Sequence, residues 1–219
     1  MRRRKASFVV GSACLGAVLA LSLLPGCGRR EGLIPPTYSP DESAKQALAE
    51  YDANHDGYLD AKEVERCPAL KYRFETLDQN GDHRLSVQEI AAWIQVYADS
   101  EIALKSILCS VQLDGRPLQG ATVTYVPEKF MGSSIKPASG VSDERGSVSL
   151  TVPGEKLSGV QPGFYRVQIS KKSATGKEII PARYNQESIL GAEIFPRKLR
   201  TLRLEEEEAG KFRLTSKGK

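Results

Sequence analysis

The chain has 219 residues, 40% of them hydrophobic and 26% charged, with a formal net charge of +4. That is enough apolar content for one or two folded units and excludes a wholly disordered chain. The charge excess sits in the first five residues: without residues 1–26 the formal charge is zero, and no clustered basic surface remains to recommend a nucleic-acid partner.

The N-terminus has the order of a targeting segment: a basic start, Met1-Arg-Arg-Arg-Lys5, an apolar run from Phe8 to Leu24, and the close Leu24-Pro25-Gly26-Cys27. The run is at the short end for a spanning helix, which needs about 20 apolar residues. An uncleaved anchor or an ordinary secretory signal would share these features. The small residue directly before Cys27 resembles the lipobox of bacterial lipoproteins. That resemblance implies a signal peptide over residues 1–26, lipidation of Cys27, and an exported protein anchored to the membrane of the bacterial cell envelope. Residues 27–38, with Pro35-Pro36 and no periodicity, read as a tether.

Ser39-Pro40-Asp41-Glu42 reads as a helix start, with Ser39 as cap, Pro40 at the first helical position and Glu42 completing a capping box. Two stretches twenty-six residues apart then repeat one spacing of oxygen-bearing side chains. They are Asp52-x-Asn54-x-Asp56-Gly57-x-Leu59-Asp60-x-x-Glu63 and Asp78-x-Asn80-Gly81-Asp82-x-x-Leu85-Ser86-x-x-Glu89. Both resemble the twelve-residue calcium loops of EF-hands, which supply oxygens from positions 1, 3, 5, 7, 9 and 12, position 7 through its main-chain carbonyl. The resemblance assigns these roles to Asp52, Asn54, Asp56, Tyr58, Asp60 and Glu63, and to Asp78, Asn80, Asp82, Arg84, Ser86 and Glu89. It implies two bound Ca²⁺ ions, or one where the second loop serves only as a scaffold for the first.

The flanks fit the loops. Ala44, Leu48 and Tyr51 precede the first loop at helical spacing, and Leu70, Phe74 and Leu77 precede the second. Val87, Ile90, Ala91, Ile94 and Tyr97 follow it. Leu59 and Leu85 stand at position 8, where paired EF-hands join by a short two-stranded contact. Pro68 divides the fourteen residues between the loops into two short helical arms. The first loop offers four acids and the second three, so the first is the tighter site. Position 6 is Gly57 in the first loop and His83 in the second, a place that demands positive φ. Histidine tolerates that geometry at a cost of roughly 1 kcal/mol.

Beyond residue 103 the period becomes two. Ile107, Cys109, Val111 and Leu113 alternate with polar neighbours, as do Ala121, Val123 and Tyr125, then Val148, Leu150 and Val152, then Tyr165, Val167 and Ile169. Gly- and Pro-bearing turns punctuate them, and shorter runs follow near Ile189–Phe195, Leu199–Leu204 and Phe212–Leu214. The segment from Val111 to Pro127, with Gly140–Gly146 and Gly159–Ser170, resembles transthyretin-like, carboxypeptidase-regulatory-like domains. The fold class expected is therefore α+β as separate domains: an all-α EF-hand pair over residues 39–100, then an antiparallel β-sandwich of about seven strands over residues 103–215.

Cys67 and Cys109 either pair across this junction or remain buried thiols. The alternation of Cys109 with Val111 and Leu113 favours the thiol. Catalysis has few candidates, because His55 and His83, the sole histidines, lie inside the two loops. No Cys or His stands at ligand spacing around them to build a zinc site, and Asp143, Glu144 and Glu155 sit in turns. The sequence argues against an enzyme. It points to calcium binding by an exported, lipid-anchored protein with a structural or interaction role. A second reading makes the β-domain a module for an envelope protein or polysaccharide, with Phe164, Tyr165 and Tyr184 as an aromatic platform and the calcium pair as a rigid spacer.

Overall fold

The computed structural model describes residues 33–196 and 210–216. The signal segment, Cys27, the first part of the tether, the run Leu199–Leu204 and the acidic block at 205–208 lie outside the described residues.

Pro40 presets the backbone for a helical turn, and α1 runs Pro40–Tyr51. Its start matches expectation but its cap does not. The Ser39 backbone, at φ −124° and ψ 80°, lies off the extended geometry from which a capping side chain reaches the first turn. Only its main-chain oxygen is used, by the Ser43 amide at 2.8 Å. The capping box of this chain is formed instead by Ser86 and Glu89, at the head of α3 (Val87–Ser100). Between these helices lie β1 (Tyr58–Asp60), a 3-10 turn at Glu63–Arg66, α2 (Pro68–Leu77) and β2 (Arg84–Ser86). Of the two arms expected between the loops, the first is thus a single tight turn. Ala44, Leu48, Tyr51, Leu70, Leu77, Ile90 and Ile94 are buried, in line with the helical stripe.

The later part of the chain builds two four-stranded sheets. In the first, β6 (Ala138–Val141), β5 (Thr122–Pro127), β8 (Gly163–Ser170) and β9 (Leu190–Ile194) lie in that order, all antiparallel. In the second, β3 (Cys109–Leu113) pairs with β4 (Arg116–Pro117), β7 (Ser147–Val148) and β10 (Lys211–Leu214). The expectation of antiparallel strands holds for all of these pairs but one: β10 runs parallel to β3, with Lys211 opposite Ser110. Alternate residues of β3, β5 and β10 are buried, and the Tyr125 ring of the first sheet meets Phe212 of the second at 6.2 Å.

The architecture is α+β, but the expected separation into two domains is not what forms. Buried residues of helices and strands make one continuous cluster, and residues from Leu33 onward form one unit. The physical reason lies in β8, where the neighbours Phe164 and Tyr165 are both fully buried. A strand apolar on both faces needs cover on both. Tyr165 turns to Tyr125, while Phe164 packs on Tyr97 of α3 at 5.8 Å and on Phe130 at 5.9 Å. On β9, Gly191 admits the first turn of α2 so closely that an added Cβ would stand 1.9 Å from the Pro68 carbonyl oxygen.

Candidate metal centre

The two acidic loops share most of their bonds. α1 ends where the Asp52 amide donates to Leu48 O at 2.9 Å, and α2 ends where the Asp78 amide donates to Phe74 O at 3.0 Å. From there each chain folds around its own side chains. One oxygen of Asp52 accepts from the His55 amide at 2.7 Å and the other from Gly57 at 3.0 Å. Asp78 does the same with Gly81 at 2.7 Å and His83 at 2.8 Å. Asn54 accepts from the Asp56 amide at 2.9 Å, and Asn80 from Asp82 at 2.8 Å. Asp56 accepts from the Tyr58 amide and Asp82 from Arg84, both at 3.0 Å.

The twelfth residue closes each loop. Glu63 Oε1 accepts from the Ala53 amide at 2.8 Å and Oε2 from Asp60 at 3.0 Å. Glu89 Oε1 accepts from Gln79 at 3.0 Å and Oε2 from Ser86 at 2.9 Å. Both glutamates are buried, whereas the rims of the loops face solvent. The loops are joined back to back by β1 and β2, with Leu59 opposite Leu85 and both fully buried. This is the two-stranded contact expected of position 8. The loops differ in two longer bonds, the Asn54 amide donating to Glu63 at 3.3 Å in the first and the Asp82 amide to Asp78 at 3.2 Å in the second, and at the ninth position. Asp60 caps the 3-10 turn through the Lys62 and Glu63 amides, at 2.8 and 2.9 Å, while Ser86 caps α3.

Turns of this kind satisfy one lone pair of each carboxylate with an amide and leave others for a second partner. Among the described residues, no three His, Cys, Asp or Glu side chains gather into a ready-made cluster. The oxygens that the spacing assigns to each loop are mixed: carboxylates, the Asn54 and Asn80 amide oxygens, the Ser86 hydroxyl, and the main-chain oxygens of Tyr58 and Arg84. All are hard oxygens, the chemistry that suits Ca²⁺ or Mg²⁺ and not thiophilic metals. The Arg84 side chain turns away from that role. Its guanidinium lies over the Tyr58 ring at 4.4 Å and 3.9 Å from Asp82.

His83 adopts φ 62°, as position 6 requires; His55, at position 4, adopts φ 59°. No local sequence signal marks the second, nor the two buried carboxylates that tie the helices to the first sheet. Glu193 of β9 accepts from Arg73 Nε at 2.5 Å, from Trp93 Nε1 at 2.5 Å and from the Tyr97 hydroxyl. Burial pushes its carboxyl above the usual range, while Arg73 and the two hydroxyl and indole donors pull it back. Glu128 accepts from the Tyr51 hydroxyl at 3.3 Å and lies 3.6 Å from Arg166, yet its Oε1 has no hydrogen-bond partner. Burial raises this group too. Neither glutamate has a local pattern that would mark it.

The aromatic platform of the second reading does not form. Phe164 and Tyr165 are fully buried, and Tyr184 is 8% exposed and bonded to Thr215. Arg183 donates to the Thr215 carbonyl at 2.8 Å, so this corner is packed against β10. Cys67 and Cys109 are both buried free thiols.

No protein family, curated protein or solved structure matches the chain.

Proposed function

We propose that the chain is a calcium-binding protein whose paired loops belong to helix–loop–helix units of the EF-hand kind. What supports this is the set of amide bonds that Asp52–Glu63 and Asp78–Glu89 share at the same loop positions, joined at Leu59 and Leu85. Chance acidity in a turn does not reproduce the same donor–acceptor pairs at two places.

Calcium supplies a divalent charge that six to eight oxygens can share. The rest is work of the chain. Asp52 and Asp78 anchor the loop mouths at the ends of α1 and α2, Asn54, Asp56, Asn80 and Asp82 turn the backbone inward, and Glu63 and Glu89 close the far side. Arg84 lies over the Tyr58 ring and 3.9 Å from Asp82, so its cation competes with calcium at the rim of the second loop. The first loop, with four acids, takes the cation more tightly than the second. The two sheets beneath form a transthyretin-like sandwich that holds the helices, and residues 1–26 with Cys27 deliver and anchor the protein at a bacterial envelope membrane.

Extracellular calcium modules bind with constants of about 10⁻⁴–10⁻³ M. Free calcium tenfold above such a constant adds only about 1.4 kcal/mol per site, which suits constitutive stabilisation better than signalling. Isothermal titration of the chain with CaCl₂, paired with thermal unfolding, tests this. Two binding events and a rise in melting temperature are expected; no heat and no rise would remove calcium binding.

A further inference from the structure

Both helices that flank the second loop converge on one carboxylate of the sheet. α2 enters the loop and carries Arg73, five residues before Asp78. α3 leaves it and carries Trp93 and Tyr97, four and eight residues after Glu89. Arg73 donates to one oxygen of Glu193, and Trp93 and Tyr97 to the other. Arg73 and Glu193 are 3% and 2% exposed, so this junction is dry. A dry junction of this kind is stiff, because breaking any one bond leaves a buried polar group unpaired.

The two oxygens of Glu193 therefore span the angle between α2 and α3. A cation in the second loop acts on the same angle, because Asp78 continues α2 and Glu89 opens α3. In this structure Glu89 reaches back to the Gln79 amide at 3.0 Å while Glu193 receives both helices. The closed loop and the filled junction thus coexist in one conformation.

We propose that Glu193 is a positioning residue for the second loop: it clamps α2 and α3 at the angle at which Asp78 and Glu89 can share one cation. Cation binding and the seating of β9 on the helices then reinforce each other, and the reinforcement is equal in both directions. This rests on the calcium function proposed above for the loop. The second loop has the greater need of such support, with three acids against four in the first. The first loop is flanked by α1 and the 3-10 turn, and neither contributes to the Glu193 bonds.

The test is a calcium titration of the full chain by calorimetry, with sites assigned through Glu63→Gln and Glu89→Gln. Glu193→Gln keeps the shape but removes the negative charge that faces Arg73; Trp93→Phe removes one donor and keeps the fold. Both are expected to weaken the second site by about fivefold or more and to leave the first site unchanged. Trp93 is the sole tryptophan, so its emission in the native sequence should shift as the second site fills and fail to shift in Glu89→Gln. Unchanged second-site affinity in both variants, or emission indifferent to calcium while calorimetry registers two sites, overturns the clamp alone. A native chain that takes up no calcium overturns the calcium function and the clamp together.

Discussion

His55 and His83 hold opposite ends of the same left-handed turn. His55 stands at the fourth position of its loop at φ 59° with Gly57 at the sixth; Gly81 stands at the fourth position of the other with His83 at the sixth, φ 62°. Each loop thus needs two left-handed residues and has one glycine to supply them. The strain on the other falls on a histidine.

Replacing either histidine by glycine should therefore stabilise the protein, by about 1 kcal/mol each. Chemical denaturation of His55→Gly and His83→Gly checks this. Gly57→Ala and Gly81→Ala should cost a similar amount. Nothing lies within 4 Å of an added Cβ at either place, so the cost is conformational and not a clash.

Removing the closing glutamate of one loop should separate the two sites. Glu63→Gln weakens the charge that binds the Ala53 and Asp60 amides and should abolish the tighter of two calcium events. Glu89→Gln should abolish the weaker and also cost about 1 kcal/mol through the damaged capping box of α3. Calorimetry and thermal unfolding in chelator distinguish the two effects.

Glu128 gives the fold a pH dependence of known sign. Burial raises its carboxyl above the unfolded value of 4.5. Such a group favours the fold most below the unfolded value and loses that contribution as pH rises through the folded one. At neutral pH it opposes the fold, so Glu128→Gln should stabilise by about 1 kcal/mol at pH 7. The gain should shrink as the pH falls from neutral towards 4.5 and be absent below it, which melting temperatures across that range would register.

Gly191→Ala should break the seam between helices and sheet. The new methyl would collide with the Pro68 carbonyl, and both partners are main chain, so neither can turn aside. A loss of about 3 kcal/mol is expected by denaturant unfolding.

Neither inner cysteine should react in the native protein. Burial pushes the Cys109 thiol up to about 12 and the Cys67 thiol well above its ordinary value, so little thiolate forms at pH 8. Labelling with a thiol reagent, mapped by mass, should reach these two positions only after denaturation.

What was legible beforehand was local. The loops, the flanking apolar stripe and the Leu59–Leu85 contact follow from spacings within a dozen residues, and so does the alternation of β3, β5 and β8. What escaped was long-range. Arg73 and Glu193 are 120 residues apart, and no periodicity announces that a charged residue in one segment will be buried against another. The same holds for Phe164. Its neighbour Tyr165 fits a half-buried strand, but only the arrival of α3 explains why both are hidden. Two modules that look self-sufficient in sequence thus turn out to lean on each other.

The parallel pairing of β10 with β3 has a bearing on how such a chain must emerge. Lys211 lies opposite Ser110, so a polypeptide delivered N-terminus first shows the bare flank of β3 until nearly a hundred more residues have followed. An open flank of that sort invites pairing with any other extended chain. That flank is shut only when residues 211–214 arrive.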